Sequence, residues 1–161
     1  MKPHLDILMV DDDEVDLGLF RQAIARTGLN IGFQPLTTGR DAIDYLEAKG
    51  YYQQRATHPL PDVIVLDLKM PNINGLDFLA WRKASDHFSA IPVAALSGST
   101  DKREIERALE LGATIHLVKP DTFEGWQKIV REIWSVADKA ETLSVTQPTP
   151  DAAAQRPAPP A

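Results

Sequence analysis

Residues 7–16, ILMVDDDEVD, place four apolar side chains directly before a run of acids. A short apolar run bounded by acids is typical of a buried strand, and we predict a strand over residues 5–10. Apolar side chains then recur at helical spacing over residues 14–27, and Gly28 is suited to end that helix. This stretch therefore predicts a strand, an acidic turn and a helix, with the acids at the carboxyl end of the strand.

The same alternation of a short apolar run and a helical pattern continues along the chain. Further strands are predicted at residues 31–36, 63–67, 91–96 and 114–118, and further helices at residues 41–48, 76–84, 101–111 and 123–139. Repeated βα units imply a parallel sheet with helices on both faces, because right-handed crossovers leave few other arrangements. The predicted fold is α/β: a (βα)5, flavodoxin-like domain of residues 1–140 with strand order 2-1-3-4-5.

Composition narrows the class of protein. The 161 residues carry a net charge of −6, which argues against a general nucleic-acid surface and predicts no DNA partner. The absence of cysteine excludes disulfides and favours a cytoplasmic location, and no apolar run is long enough to predict a signal peptide or a membrane span. Residues 141–161 are rich in proline and alanine without an apolar period, which predicts a disordered tail.

Polar side chains follow the predicted strands at the point where each strand ends. Strand one is followed by the acids at 11–13, strand three ends in Asp67, strand four leads to Ser97 and strand five to Lys119. Neighbouring carboxylates repel, and Mg²⁺ with its preference for oxygen ligands would remove that repulsion. Beside such an ion Asp67 could accept a phosphoryl group, with Lys119 and Ser97 binding the phosphoryl oxygens. The rim therefore predicts phosphoryl chemistry with magnesium.

These motifs resemble those of a response-regulator receiver domain over roughly residues 5–138. The matching pieces are DD after strand one, VLDLKMP and NG around strand three, LSGS after strand four and VKP after strand five. The resemblance implies that Asp67 accepts a phosphoryl group from a sensor histidine kinase. It implies the following further roles: Mg²⁺ ligands Asp11, Asp12, Asp67 and the backbone carbonyl of Lys69, a hydroxyl switch at Ser97, and a phosphate-pairing lysine at Lys119.

A long connector at residues 50–61 and the lack of an output domain give a narrower resemblance. Both are similar to the single-domain regulators that work with bacterial phytochrome-type histidine kinases. The resemblance implies output through protein contacts on the face formed by helix four, strand five and helix five, as a homodimer or within a phosphorelay. It implies no enzyme activity beyond self-phosphorylation from small donors and autodephosphorylation.

Four details depart from the family pattern or extend it. Asp13 is one acid more than the family needs after strand one, and it is predicted to cap the first helix, with Asp16 in the first turn.

His116 stands where the family often has the Tyr or Phe that swings inward on activation. Two interpretations stay open: a half-exposed strand residue, or a switch residue that titrates near neutral pH. The Lys69 side chain is either solvated or reaches over the site, and the resemblance implies a cis peptide before Pro120.

Three other functions share parts of this pattern with the receiver domain. A haloacid-dehalogenase-like phosphohydrolase also uses Asp and Mg²⁺, but it needs a second Asp at the position occupied by Lys69. A flavin or nucleotide binder needs a Gly- or Ser/Thr-rich loop after strand one, where this chain has acids that would repel phosphate. A non-phosphorylated scaffold of the same fold would be favoured by loss of a matching residue, and none is lost.

Overall fold

The structure, a computed structural model, describes residues 3–146. Its strands are β1 Leu5–Val10, β2 Ile31–Leu36, β3 Val63–Asp67, β4 Val93–Ser97 and β5 Ile115–Val118. Its helices are α1 Glu14–Thr27, α2 Gly39–Leu46, α3 Gly75–Lys83, α4 Lys102–Glu110 and α5 Phe123–Thr146, with a 3-10 turn at Gly50–Tyr52. All strand pairs are parallel in the order β2-β1-β3-β4-β5, which confirms the predicted α/β fold and its strand order.

The sheet separates two apolar clusters because successive side chains of a strand point to opposite faces. One cluster lies under α1 and α5 and includes Met9, Val65 and Leu96; this side is called the α1–α5 face. The other lies under α2, α3 and α4 and includes Val10 and Leu66; this side is called the α2–α4 face. β1, β3 and β4 are buried on both faces, as their nearly continuous apolar runs predict.

Some boundaries differ from those the sequence predicts. Helix α2 begins at Gly39 rather than Asp41, because the Thr38 hydroxyl accepts a hydrogen bond from the Asp41 amide and caps the helix there. A side chain at position 39 would collide with Ile73, whose Cγ2 lies 2.7 Å from an ideal Cβ. Strand β4 begins after Pro92 rather than at residue 91, since proline has no N–H to donate to the sheet.

The end of the domain and one peptide bond also differ from prediction. Helix α5 continues to Thr146, past the boundary predicted at residue 141, because residues 140–146 contain neither the Gly nor the Pro that would interrupt it. The rest of the predicted tail, residues 147–161, lies outside the described residues. The predicted cis peptide before Pro120 is wrong: residues 3–146 contain no cis peptide bond. Within the same range no helix has the length and apolar character needed to cross a bilayer.

Candidate functional site at the carboxyl ends of the strands

Three of the predicted site residues stand at the carboxyl ends of strands and point to the α1–α5 face. Asp11 directly follows β1, Asp67 is the last residue of β3, and Lys119 directly follows β5. The alternation that sends Met9, Val65 and Leu117 to this face carries on through these positions. The carboxylates of Asp11 and Asp67 are therefore buried at the rim, with exposed fractions of 0% and 4%.

The structure brings three carboxylates together, as the sequence predicts. Asp11, Asp12 and Asp67 each offer one carboxylate oxygen, and these oxygens all lie within 4.8 Å of one another. Asp12 is exposed, so the cluster has two buried members and one that faces solvent. Unshielded carboxylates this close repel one another, which makes the cluster electrostatically unfavourable without a positive partner.

The positive partner from the chain itself is Lys119. Its Nζ lies 2.7 Å from Asp16 Oδ2, 3.0 Å from Asp11 Oδ2 and 3.5 Å from Asp67 Oδ2. Burial alone would lower the pKa of Lys119, but the surrounding carboxylates outweigh burial and raise it. The lysine is therefore fully charged at neutral pH, and one ammonium serves three carboxylates.

The single ammonium of Lys119 does not neutralise the negative charge of the carboxylates in the site. Burial, followed by the charge of Asp11, raises the pKa of Asp67 to about 7. This happens although the Lys69 amide donates to Asp67 Oδ1 at 3.1 Å and Lys119 stands nearby. Burial likewise raises the pKa of Asp11, against the effects of the Asp13 amide and Lys119. The two buried acids thus have unusually high proton affinity, which indicates a shortage of positive charge.

The donor set fits a hard divalent cation. Asp11 Oδ2 is buried and accepts no hydrogen bond, and its contact with Lys119 is an ion pair. Carboxylate oxygens from two or three acids, of which Asp12 is exposed to solvent, suit Mg²⁺, which keeps several water ligands. Asp11, Asp12 and Asp67 are the side chains that would hold the ion. The Lys69 carbonyl as a further ligand stays a prediction, and the side chain of Lys69 is exposed to solvent.

Ser97 belongs to a separate pair on the other face of the sheet. The β4–β5 register matches Ala95 with His116 and Ser97 with Val118, so Ser97 and His116 are diagonal neighbours on the α2–α4 face. The buried Ser97 hydroxyl lies 2.9 Å from His116 Nε2 and 3.5 Å from the Ser99 carbonyl. Among the hydrogen bonds of residues 3–146, none joins Ser97 to Asp67. His116 is therefore the direct partner of the predicted switch hydroxyl.

Sequence reasoning missed the roles of two acids: Asp16 pairs with Lys119, and the charge of Glu104 acts on His116. Asp13 caps α1 as predicted, accepting from the Val15 amide at 2.9 Å, but Asp16 does more than favour the helix dipole, since it pairs with Lys119. A signal for this role exists: Asp16 stands four residues before the buried Phe20 and so lies on the core-facing side of the helix. Glu104 on α4 is the second such residue, with a buried Oε1 that has no hydrogen-bond partner.

A parallel sheet of order β2-β1-β3-β4-β5 with polar side chains at its switch point defines the flavodoxin-like class of α/β proteins. Within that class the chain belongs to the response regulator receiver domain family, which matches residues 7–131. It is 32% identical over 127 residues to the probable methanogenesis regulatory protein FilR2 of Methanothrix harundinacea, covering 79% of each chain. It is 28% identical over 141 residues to response regulator Rcp1 of Synechocystis sp., covering 88% of this chain and 94% of Rcp1.

Solved structures give the same family and a narrower group within it. The phosphorylated cyanobacterial phytochrome response regulator RcpA has a TM-score of 0.74 and 28% identity, covering 89% of this chain and 97% of RcpA. The bacteriophytochrome response regulator AtBRR has a TM-score of 0.67 and 33% identity, covering 83% and 94%. The Mn²⁺-bound form of Rcp1 has a TM-score of 0.71 and 27% identity, covering 81% and 92%. The predicted resemblance to single-domain phytochrome regulators is confirmed.

Proposed function

We propose that this chain is a phosphorylation-controlled switch that accepts a phosphoryl group on Asp67 from a sensor histidine kinase. The observation that supports it most directly is the convergence of Asp11, Asp12 and Asp67 within 4.8 Å, with Lys119 against the two buried members. Family membership favours this function over the phosphohydrolase and flavin-binding alternatives. RcpA, a relative at 28% identity, has been solved in phosphorylated form, which supports this proposal.

The geometry of Asp67 suits a nucleophile. The Lys69 amide binds Oδ1, and Oδ2 lies on the side of Lys119, so both oxygens are oriented by the chain. In the proposed step one Asp67 oxygen attacks the phosphorus of a phosphohistidine. The P–N bond breaks, its electron pair stays with the imidazole, and an acyl phosphate remains on Asp67. Lys119 is then in position to pair with a phosphoryl oxygen.

The proposed cofactor is Mg²⁺, held by Asp11, Asp12, Asp67 and the carbonyl of Lys69. When bound, it would supply the positive charge that the carboxylates and the incoming phosphoryl oxygens require. The Mn²⁺-bound form of Rcp1 supports a divalent ion in this family. Asp67 must be ionised to react, because only the carboxylate form can attack phosphorus.

The proposed output is a change of protein contacts on the face of α4, β5 and α5. Leu109 on α4 and Val118 on β5 expose 45% and 47% of their surface there, which suits a partner or a second copy of the chain. We propose a cytoplasmic protein that acts on other proteins, as a homodimer or a phosphorelay intermediate, rather than on DNA or a membrane. Its own chemistry would be limited to self-phosphorylation from small donors and autodephosphorylation.

Acetyl phosphate with Mg²⁺ tests the acceptor. Intact-mass measurement should show one added phosphoryl group on the wild type and none on Asp67→Asn. The matched control is Asp13→Asn, which keeps a good helix cap and removes an acid outside the cluster, so it should be labelled like the wild type. Labelling that persists in Asp67→Asn would contradict the assignment of the acceptor.

The proposed kinase is of the phytochrome type, and phosphotransfer profiling tests it. Purified autophosphorylated histidine kinases of the source organism would be mixed with the chain for short times, and transfer rates compared. The expected result is fastest transfer from a phytochrome-type kinase, modulated by red and far-red light. Faster transfer from a kinase of another sensor class would assign a different input while leaving Asp67 as the acceptor.

A further inference from the structure

The hydroxyl of Ser97 has one proton, and two neighbouring groups can accept it: the Nε2 atom of His116 and the more distant carbonyl of Ser99. Ser97 is buried, with an exposed fraction of 1%, and its oxygen lies 2.9 Å from His116 Nε2. A neutral imidazole accepts at one ring nitrogen and donates at the other, whereas an imidazolium donates at both. The protonation of His116 therefore decides whether Ser97 gives its proton to the imidazole or has it available for another acceptor.

Among the residues that the structure describes, Glu104 is the acid whose charge would stabilise the imidazolium of His116. His116 is half-buried between β4, which contributes the neutral Ser97, and α4, which contributes Glu104. Lys119 comes directly after the same strand, but its ammonium lies among the carboxylates of the opposite face. Burial lowers the pKa of His116, and the charge of Glu104 raises it by a smaller amount. The imidazole is thus neutral at pH 7, and the carboxylate that acts on it has a buried Oε1 without a hydrogen-bond partner.

We propose that His116 and Glu104 are positioning residues that control the Ser97 proton. Neutral His116 accepts that proton and holds Ser97 away from the phosphoacceptor, whereas protonated His116 donates to Ser97 and frees its proton for a phosphoryl oxygen. The inference rests on the proposed function, because the phosphoryl group on Asp67 is the competing acceptor. By linkage, phosphorylation of Asp67 and protonation of His116 favour each other.

The proposed change needs no reactant other than a proton from solvent. In the phosphorylated protein a hydrogen-bond chain runs from His116 Nε2–H to Ser97 Oγ and from the Ser97 hydroxyl to the phosphoryl oxygen. Each bond of such a chain polarises the next, which strengthens both. Glu104 stabilises the positive end. A phenylalanine at position 116 could fill the same space, but it could neither hold nor release the serine proton.

Nuclear magnetic resonance of the His116 ring tests this directly on the wild-type chain. Ring ¹⁵N shifts would be followed against pH in the free protein and with Mg²⁺ and beryllofluoride, a mimic of the phosphoryl group. His116→Gln assigns the signal among the four histidines. We expect an unprotonated Nε2 in the free protein and a His116 pKa about one unit higher in the loaded protein, which corresponds to about tenfold in coupled affinity.

Matched variants separate His116 from the acids of the rim. His116→Gln keeps a donor and an acceptor but cannot titrate, so beryllofluoride binding should lose the part of its pH dependence that His116 supplies. Ser97→Ala should leave the His116 pKa unchanged by beryllofluoride, and Glu104→Gln should reduce the upward shift. The difference between wild type and His116→Gln removes the contribution of Asp67, which both proteins share.

The outcomes distinguish this inference from the proposed function. An Nε2–H tautomer in the free protein, or one His116 pKa in free and loaded protein, would overturn the control of Ser97 by His116 while leaving phosphorylation of Asp67 intact. Failure of the wild type to bind beryllofluoride or to be labelled by acetyl phosphate would instead overturn the proposed function, and this inference with it.

Discussion

Acids lie at both ends of strand β1, but the two groups of acids differ in their burial and in their partners. At the amino end the Asp6 amide donates to Asp62 Oδ2 at 2.8 Å, and Asp6 Oδ1 lies 3.0 Å from the exposed His4 ring. At the carboxyl end Asp11 and Asp67 are buried together. The acids of the amino end are partly solvated and separately paired, whereas those of the carboxyl end share a buried space.

The difference shows that the number of acids at a strand end does not identify a functional site. At the amino end the hydrogen bond to Asp6 raises the pKa of His4, so a positive charge is favoured next to that acid. At the carboxyl end burial and mutual repulsion raise the pKa of Asp67 to about 7, so the acids lack positive charge. The buried carboxylates of the carboxyl end lack enough positive charge, and this shortage distinguishes that end as a candidate cation site.

Removal of Lys119 should have the largest effect on this contrast. Lys119→Met leaves Asp11 and Asp67 buried without an ammonium, and we expect a loss of about 3 kcal/mol in the free energy of unfolding at pH 8 without Mg²⁺. Urea denaturation with a chelator measures it. The control is Lys69→Met, an exposed lysine of the same rim, which should change stability little. If both variants lost the same free energy of unfolding, Lys119 would not be the counterion of the buried carboxylates.

Neutralising Asp67 should stabilise the metal-free protein. Its folded pKa of about 7 lies above the ordinary 3.8, so the folded state binds the extra proton and stability falls as pH rises between these values. The penalty is absent below the lower value and complete above the upper one. Asp67→Asn should therefore gain about 2 kcal/mol at pH 8 and nothing near pH 4.

Thermal denaturation from pH 4 to pH 8 in the presence of a chelator would measure this gain. Asp62→Asn is the counterpart at the amino end and should not show a gain that grows with pH. If the melting temperatures of the wild type and Asp67→Asn differed by the same amount at every pH in this range, the raised pKa of Asp67 would be contradicted.

Magnesium should stabilise the protein only through the carboxylates at the carboxyl end of β1. A ligand that binds the folded state at ten times its dissociation constant contributes about 1.4 kcal/mol, which raises the melting temperature by several degrees. The shift should disappear in Asp12→Asn, which removes the exposed member of the cluster, and persist in Asp62→Asn. An unchanged melting temperature of the wild type in millimolar Mg²⁺ would count against the metal assignment.

The smallest effect is expected at the amino end. Asp62→Asn keeps an oxygen that can accept from the Asp6 amide, so we expect a loss of about 0.5 kcal/mol and unchanged labelling by acetyl phosphate. Urea denaturation and intact-mass measurement provide the two readouts. If this variant lost labelling, the two ends of β1 would not be independent.

Much of the fold follows from the sequence because strand signals here are strong. The run at residues 63–67 is apolar, β-branched and ends in an acid, and it matches β3 residue for residue. The ends of the helices follow less directly from the sequence, because local alternatives compete. Thr38 rather than Asp41 starts α2, since a glycine next to Ile73 lets the chain approach there, and that approach is a tertiary contact.

The candidate site also has contacts that the sequence predicts and contacts that it does not. Topology places Asp11 and Asp67 at one rim, and their proximity could be predicted from strand order alone. The pairing of Lys119 with Asp16 joins residues 103 positions apart, and it depends on how α1 is rotated against the sheet. The hydrogen bond between Ser97 and His116 needs the register of β4 and β5, which no local pattern specifies.

The sequence by itself determined the order of strands and helices, the residues at the strand ends and the family to which they belong. It could do so because strand periodicity and right-handed crossovers are local or nearly local rules. The tertiary structure decided which charged and polar groups meet: Lys119 with three carboxylates, and Ser97 with His116. Those contacts depend on helix rotation, strand register and burial, which only the packed chain sets.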